Sequence, residues 1–310
     1  MSSQSIDPAH REEWLRLLAG DAAEFRRARA GLRGIDLSGA DLRGRDLLMA
    51  GVYESNLAGA QLDGAIADAM MLASCRLRGV NLDAMRIDGD DESQRTLRQV
   101  WRLWNGDLAG FARSRAPVEI FTRADFTGLD FGDVSLAGVM FLGCLLDDAN
   151  LVRCTLDDTK MGRSSLRRAR FGGNHLSLVD LTEADLRKAD FVGGTLAVVD
   201  FSKALLDDAR FDGATLDKCT LTEARGVATS FARSTWREAR AYAPRFERAS
   251  FVDARFEDLE LTFGAFVECD FQGLTASAAA ITNSDVTRAD FRRVTGLALR
   301  ENTGTESARF

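Results

Sequence analysis

A large apolar residue recurs at every fifth position over most of this chain. From Leu32 the step runs through Leu37, Leu42, Leu47, Val52, Leu57, Leu62, Ala67, Leu72, Leu77 and Leu82 to Ile87. From Phe121 it runs through Phe126, Phe131, Leu136 and Phe141 to Phe291, with few lapses. A helix brings a face round every 3.6 residues and a strand every two, so neither produces a step of five. A short fixed repeat of this length predicts a solenoid, in which each unit buries its apolar side chain against the next. The 310 residues therefore do not set a domain count in the usual way.

The residues around each recurring centre are also patterned. Two places before it stands a small residue: Ala124 before Phe126, Ala149 before Leu151, Ala169 before Phe171, Ala209 before Phe211. Just before it stands a polar one, as with Asp36, Asp41, Asp125, Asp130, Asp185, Asp190 and Asp290. Gly or a charged residue commonly follows, as in Arg43-Gly44 and Asp212-Gly213. Each unit thus points one large and one small side chain inward and leaves three positions for surface and turn. The motif resembles the pentapeptide-repeat family, with consensus Ala-(Asp/Asn)-Leu-x-x. Good copies are Ala40-Asp41-Leu42, Ala149-Asn150-Leu151, Ala184-Asp185-Leu186 and Ala289-Asp290-Phe291. The resemblance covers roughly 240 residues and implies a right-handed, four-sided parallel β-helix with one pentapeptide per side.

Four sides are also indicated by the residues themselves. Centres twenty apart in the second array read Phe131, Leu151, Phe171, Phe191, Phe211, Phe231, Phe251, Phe271 and Phe291. Another column, one place before its centre, reads Ser135, Thr155, His175, Thr195, Thr215, Thr235, Arg255, Thr275 and Thr295. A twenty-residue period fits one coil of four pentapeptides and would stack the Phe rings at about 4.8 Å. Tandem duplication of a twenty-residue unit leaves the same columns and is compatible with the coil.

The step breaks between Ile87 and Phe121, which are 34 residues apart. Leu97, Val100, Trp101, Trp104, Leu108 and Phe111 follow helical spacing there. Asp91 or Ser93 is a suitable cap and Asn105-Gly106 a suitable break. Asp7 and Pro8 open a second helical pattern carrying Trp14, Leu15, Leu18 and Phe25. The expected fold is an all-β solenoid: a quadrilateral parallel β-helix in two blocks, 31–90 and 119–296. A helical N-terminal cap over 1–30, a helical insertion over 91–118 and a C-terminal tail over 297–310 complete it. The tail covers the last coil through Leu297 and Leu299, or frays. Weak centres at Gly226, Ala241 and Ala276, with Trp236 and Pro244 nearby, predict distortion over 225–245.

Little here suggests chemistry. Cys75, Cys144, Cys154, Cys219 and Cys269 all fall at the small inward position, where Cys acts as a small apolar residue. None forms a Cys-x-x-Cys pair. His175 stands in the outward Thr column without an evident partner. Asp147-Asp148, Asp157-Asp158 and Asp207-Asp208 follow their centres, at corners where Asp favours turns. No phosphate loop, nucleophile elbow or zinc-protease motif is present. We therefore expect no enzyme, no catalytic or metal-binding residues and no cofactor. The net charge of −7, with 36 Arg to 4 Lys, is spread thinly, without the basic stripe of a direct nucleic-acid binder. The start of the chain lacks a signal-peptide core and no apolar run reaches membrane-span length. A cytoplasmic protein that does not bind membranes is expected.

The expected function is a non-catalytic scaffold for a protein partner, with a second copy of the chain as one candidate. Two sets of residues are candidates for the contact. Leu97, Trp101, Trp104, Leu108 and Phe111 lie on the insertion, either as a projecting knob or packed on the solenoid. Met140, Leu142, Leu145 and Val152 lie outward on three successive sides. The family resemblance implies an alternative, since some members protect DNA gyrase, a type II topoisomerase, from inhibitors by mimicking DNA. The insertion is similar to the projecting loops of such proteins. Outward arginines (Arg167, Arg168, Arg170, Arg187, Arg237, Arg240, Arg245, Arg248 and Arg255) interrupt the acidic stripe such mimicry needs.

Overall fold

The computed structural model describes residues 34–48, 52–116 and 118–310, together with Arg16. The cap expected over 1–30 and the Leu32 centre lie outside the described residues. The chain forms two compact units, the first ending at Phe126 and the second spanning Thr127–Phe310. Both are parallel β-helix.

The backbone of the second unit explains why the repeat reads as it does. In the pentapeptide centred on Leu181, all five amides have partners. Asp180 N donates to Thr159 O (3.0 Å), Leu181 N to Asp200 O (2.8 Å) and Glu183 N to Ser202 O (2.8 Å). These bonds tie the coil to those before and after it. Ala184 N closes a turn onto Leu181 O (3.1 Å). Thr182 N has no backbone acceptor and is met by Asp180 Oδ1 at 2.8 Å. The Asp before the centre therefore accepts the amide two residues on, which the turn would otherwise leave unpaired. Asp130, Asp190, Asp200, Asp270 and Asp285 do the same. The second residue after nearly every centre is left-handed, with φ near +55° to +60° at Asp148, Asp158 and Asp208. This is the conformation that Asp and Asn accept most readily after Gly.

Parallel pairing at a twenty-residue offset recurs on four sides: Asp130↔Asn150, Ser135↔Thr155, Met140↔Lys160 and Leu145↔Ser165. It brings like centres together. Phe171, Phe191 and Phe211 stack at 4.5 and 4.7 Å, and the stack continues through Phe231, Phe251 and Phe271 to Phe291 at 4.7–5.1 Å. Offset ring pairs of this kind add about 0.5–1.5 kcal/mol each beyond area burial.

Residues 225–245 are not distorted. Arg225, Gly226 and Val227 pair in register with Arg245, Phe246 and Glu247. Trp236 is fully buried and packs on Phe231, Phe251 and Phe256. Gly226, Phe231, Trp236 and Ala241 are the centres of one coil, so the indole takes up room its small neighbours release. The register slips later. Thr275 pairs with Thr295 at an offset of twenty, but Ala279 pairs with Leu297 at eighteen. The residues after 296 do not fray. Thr303 pairs with Asp285, Arg309 with Asp290, and Phe310 stacks on Phe291 at 5.6 Å.

The first unit keeps the step but carries helices. Bridges Asp36↔Asn56, Asp41↔Gln61 and Asn56↔Arg76 define its coils, and Leu37, Leu42, Leu47, Leu57, Leu62 and Leu77 fill them. Helix α1 (Ala69–Ala73), capped by Asp68 accepting from Met71 N, replaces one side without disturbing the count. Ile66 still pairs with Arg86 twenty residues on. Ala-Met-Met-Leu-Ala is a run of strong helix formers, and Leu72 stays buried within it. Helix α2 (Asp91–Trp104) is capped by Asp90, which accepts from Ser93 N and Oγ, and not by Asp91 or Ser93. Asn105-Gly106 ends it, and Asp107 caps helix α3 (Leu108–Ser114). Phe121 and Phe126, the first centres of the second array, belong to this unit, with Phe111 stacked on Phe121 at 6.4 Å.

Candidate functional site

The insertion is packed onto its own unit. Leu97, Trp104 and Phe111 are buried, while Trp101 and Leu108 are half-buried. Trp101 Nε1 donates to Val80 O (2.6 Å) and Trp104 Nε1 to Asp125 O (3.2 Å). Asn105 holds the coil from both ends: its Nδ2 donates to Leu77 O and its Oδ1 accepts from Gly79 N. As a free apolar knob the five residues need correction, because the indoles and Phe111 are spent on packing. Of the second candidate set, Leu142 is exposed and Met140, Leu145 and Val152 are half-buried. In the next coil Met140 meets Lys160 and Leu145 meets Ser165, so that patch is one coil wide.

The inward small position has a second use. In several coils a polar atom at this position donates to the carbonyl of the preceding coil's centre. Thr159 Oγ1 bonds Leu136 O, Ser164 Oγ bonds Phe141 O and Thr229 Oγ1 bonds Leu206 O, each 23 residues back. Three thiols copy this: Cys75 to Val52 O, Cys219 to Leu196 O and Cys269 to Phe246 O. All five cysteines are free and buried. Burial pushes Cys75, Cys154, Cys219 and Cys269 up to about 12, so they are protonated, inert core residues. Among the described residues no cluster of His, Cys, Asp or Glu could hold a metal ion, and His175 is exposed.

Acidic and basic side chains are interleaved on the surface of the second unit. Arg168 reaches Asp148 at 2.5 Å and Arg163 reaches Glu183 at 3.1 Å, each one coil away. Asp185 takes Arg167 and Arg187, both at 2.6 Å. Partial burial raises its carboxyl, and the hydrogen bonds from Arg187 and Arg167 outweigh that, so it lies below the usual range.

A pair of exposed aromatic rings lies outside both candidate sets. Tyr242 and Phe263 are each 55% exposed, with ring centroids 5.3 Å apart. They come from adjacent coils, since Tyr242 pairs with Thr262. Most Phe residues of the second array are centres; Phe263 stands two places after the Leu261 centre, at a left-handed corner (φ 54°). That off-frame position is the signal through which the sequence could have shown it. No helix among the described residues is long and apolar enough to cross a membrane.

The model of the family described as pentapeptide repeats matches residues 120–162, 164–197 and 198–225, in eight copies. The matched segments are pentapeptide repeats. No match is found among the curated proteins. Among solved structures, this chain is similar to HetL, a pentapeptide-repeat protein involved in heterocyst differentiation regulation from the cyanobacterium Nostoc sp. strain PCC 7120. Identity is 19%, over 66% of this chain and 92% of that one, with a TM-score of 0.47. It is also similar to a trypsin-treated form of QnrB1, a plasmid-mediated fluoroquinolone resistance protein. Identity there is 22%, over 58% of this chain and 79% of that one, with a TM-score of 0.30.

Proposed function

We propose that this chain is a non-catalytic scaffold that binds another protein on the outward faces of its coils. The observation that carries the reading is the exposed Tyr242–Phe263 pair. Two large rings held side by side in water, on a backbone fixed by inter-coil bonds, are the kind of feature that partner sites bury. Leu142, with Met140, Leu145 and Val152 around it, is a second and smaller candidate contact.

Mimicry of duplex DNA toward DNA gyrase is the weaker reading. Arg163, Arg168, Arg237 and Arg288 each sit against a carboxylate one coil away, so acid is interleaved with base. The test is affinity capture from the native host with the full chain and with a Y242A/F263A double variant. The reading expects a defined protein partner that the wild type retains and the variant loses. Capture of the same proteins by both would count against it.

A further inference from the structure

Several charges on the second unit are compensated between coils, although Asp180↔Asp200 and Asp270↔Asp290 place like charges opposite. Asp133–Arg153, Asp148–Arg168, Arg163–Glu183, Lys218–Glu238, Arg237–Glu257 and Glu268–Arg288 are ion pairs between residues twenty apart. Coils only about 4.8 Å apart favour this, since like charges directly opposite repel.

Arg225 and Arg245 lack such compensation. They are register partners on adjacent parallel strands, both exposed, and neither has a carboxylate within ion-pair distance among the described residues. Their column continues to Leu205 on one side and Ala265 on the other, so it supplies no counter-charge. Two neighbouring carboxylates are engaged: Asp207, in the preceding coil, accepts from Val227 N, and Glu247, on the strand of Arg245, pairs with Arg248. Only Ala243 and Pro244 separate Arg245 from Tyr242. The uncompensated arginines and the exposed rings therefore flank one corner.

We infer that this corner docks a short acidic segment of a protein partner. Its carboxylates meet the guanidinium groups of Arg225 and Arg245, and an apolar side chain beside them covers the rings of Tyr242 and Phe263. The inference rests on the scaffold reading and adds the chemistry of the partner. Guanidinium groups suit it because their planar fork takes a carboxylate through two parallel hydrogen bonds. A nucleic acid fits less well. Glu223, Glu247 and Glu260 lie on the same or adjacent strands and corners, so a continuous polyanion would meet like charge on either side.

The test is selection of phage-displayed random peptides on the full chain, followed by affinity measurement for the selected peptides. The expected peptides combine Asp or Glu with an aromatic residue or Leu. Their affinity is expected to fall about tenfold or more in R225E/R245E, to fall with added salt, and to fall also in Y242A/F263A. R225Q/R245Q is measured alongside, so that the result does not depend on one variant folding. Selected peptides without acidic residues, or peptides that bind both arginine variants as well as the wild type, would overturn the inference. Should such peptides still need Tyr242 and Phe263, the scaffold reading survives without it. Recovery of no peptide overturns both. Tighter binding of a single-stranded oligonucleotide than of any peptide would replace the acidic segment with a nucleic acid.

Discussion

The two units use one five-residue step and stabilise it differently. Up to Phe126 the centres are mostly aliphatic and, among the described residues, three helices interrupt the coils. The interruptions are held by side chains reaching backbone: Asp68 and Asp90 at helix starts, Trp101, Trp104 and Asn105 across the coil. From Thr127 the four-sided ladder runs without a helix to the slip after Thr275, and aromatic centres stack one on another. Tolerance of insertion and like-on-like stacking are therefore alternatives. Stacking needs an unbroken offset of twenty, whereas a coil carrying a helix relies on particular polar side chains.

The most damaging single change expected is Trp236→Ala. It empties the coil whose other centres include Gly226 and Ala241, and should cost the second unit about 3–5 kcal/mol. Denaturant titration checks this, and a loss below about 1 kcal/mol would mean that the coil had closed over the gap. Leu57→Ala should cost the first unit about 2–4 kcal/mol and leave the second intact. The buried thiols report which unit opens, because at about pH 8 a protonated, closed thiol does not react. In L57A, Cys75 is expected to label before Cys219; simultaneous labelling would show that the units unfold together. Asn105→Ala removes the bonds to Leu77 O and Gly79 N and should cost about 1–2 kcal/mol, with hydrogen exchange rising first around 77–80.

The smallest expected effect is in acid. Asp185 is held below its usual range, so its contribution is present above the unfolded carboxyl value. It is lost as pH falls through the depressed folded value. Asp185→Asn should therefore lower stability at neutral pH and flatten that part of the acid dependence. An unchanged acid profile would remove Asp185 from the account.

Much of the fold was legible because the repeat writes its geometry into composition. The Phe column showed the coil length, and the small position placed all five cysteines inside. Helix α1 was hidden because Ala69–Ala73 keeps both the five-residue step and a buried Leu72. The last coil was hidden because it is two residues short along Ala279–Thr282. Trp236 looked like a sign of distortion when it is the remedy for small neighbours in its coil. The candidate site was the least legible part. Tyr242 and Phe263 meet across coils, 21 residues apart, and Arg225 faces Arg245 through pairing, which a linear count of outward residues does not display.

The offset of twenty has a consequence for how such a surface can change. Inserting four whole pentapeptides between two outward side chains moves them apart by one strand spacing, about 4.8 Å, and leaves them facing the same way. Inserting a single pentapeptide turns everything after it onto the next face. Lengthening the chain therefore sets the distance between contact groups in fixed increments and their direction in quarter turns. Duplication could in this way fit one coil design to partners of different size without redesign of any single contact.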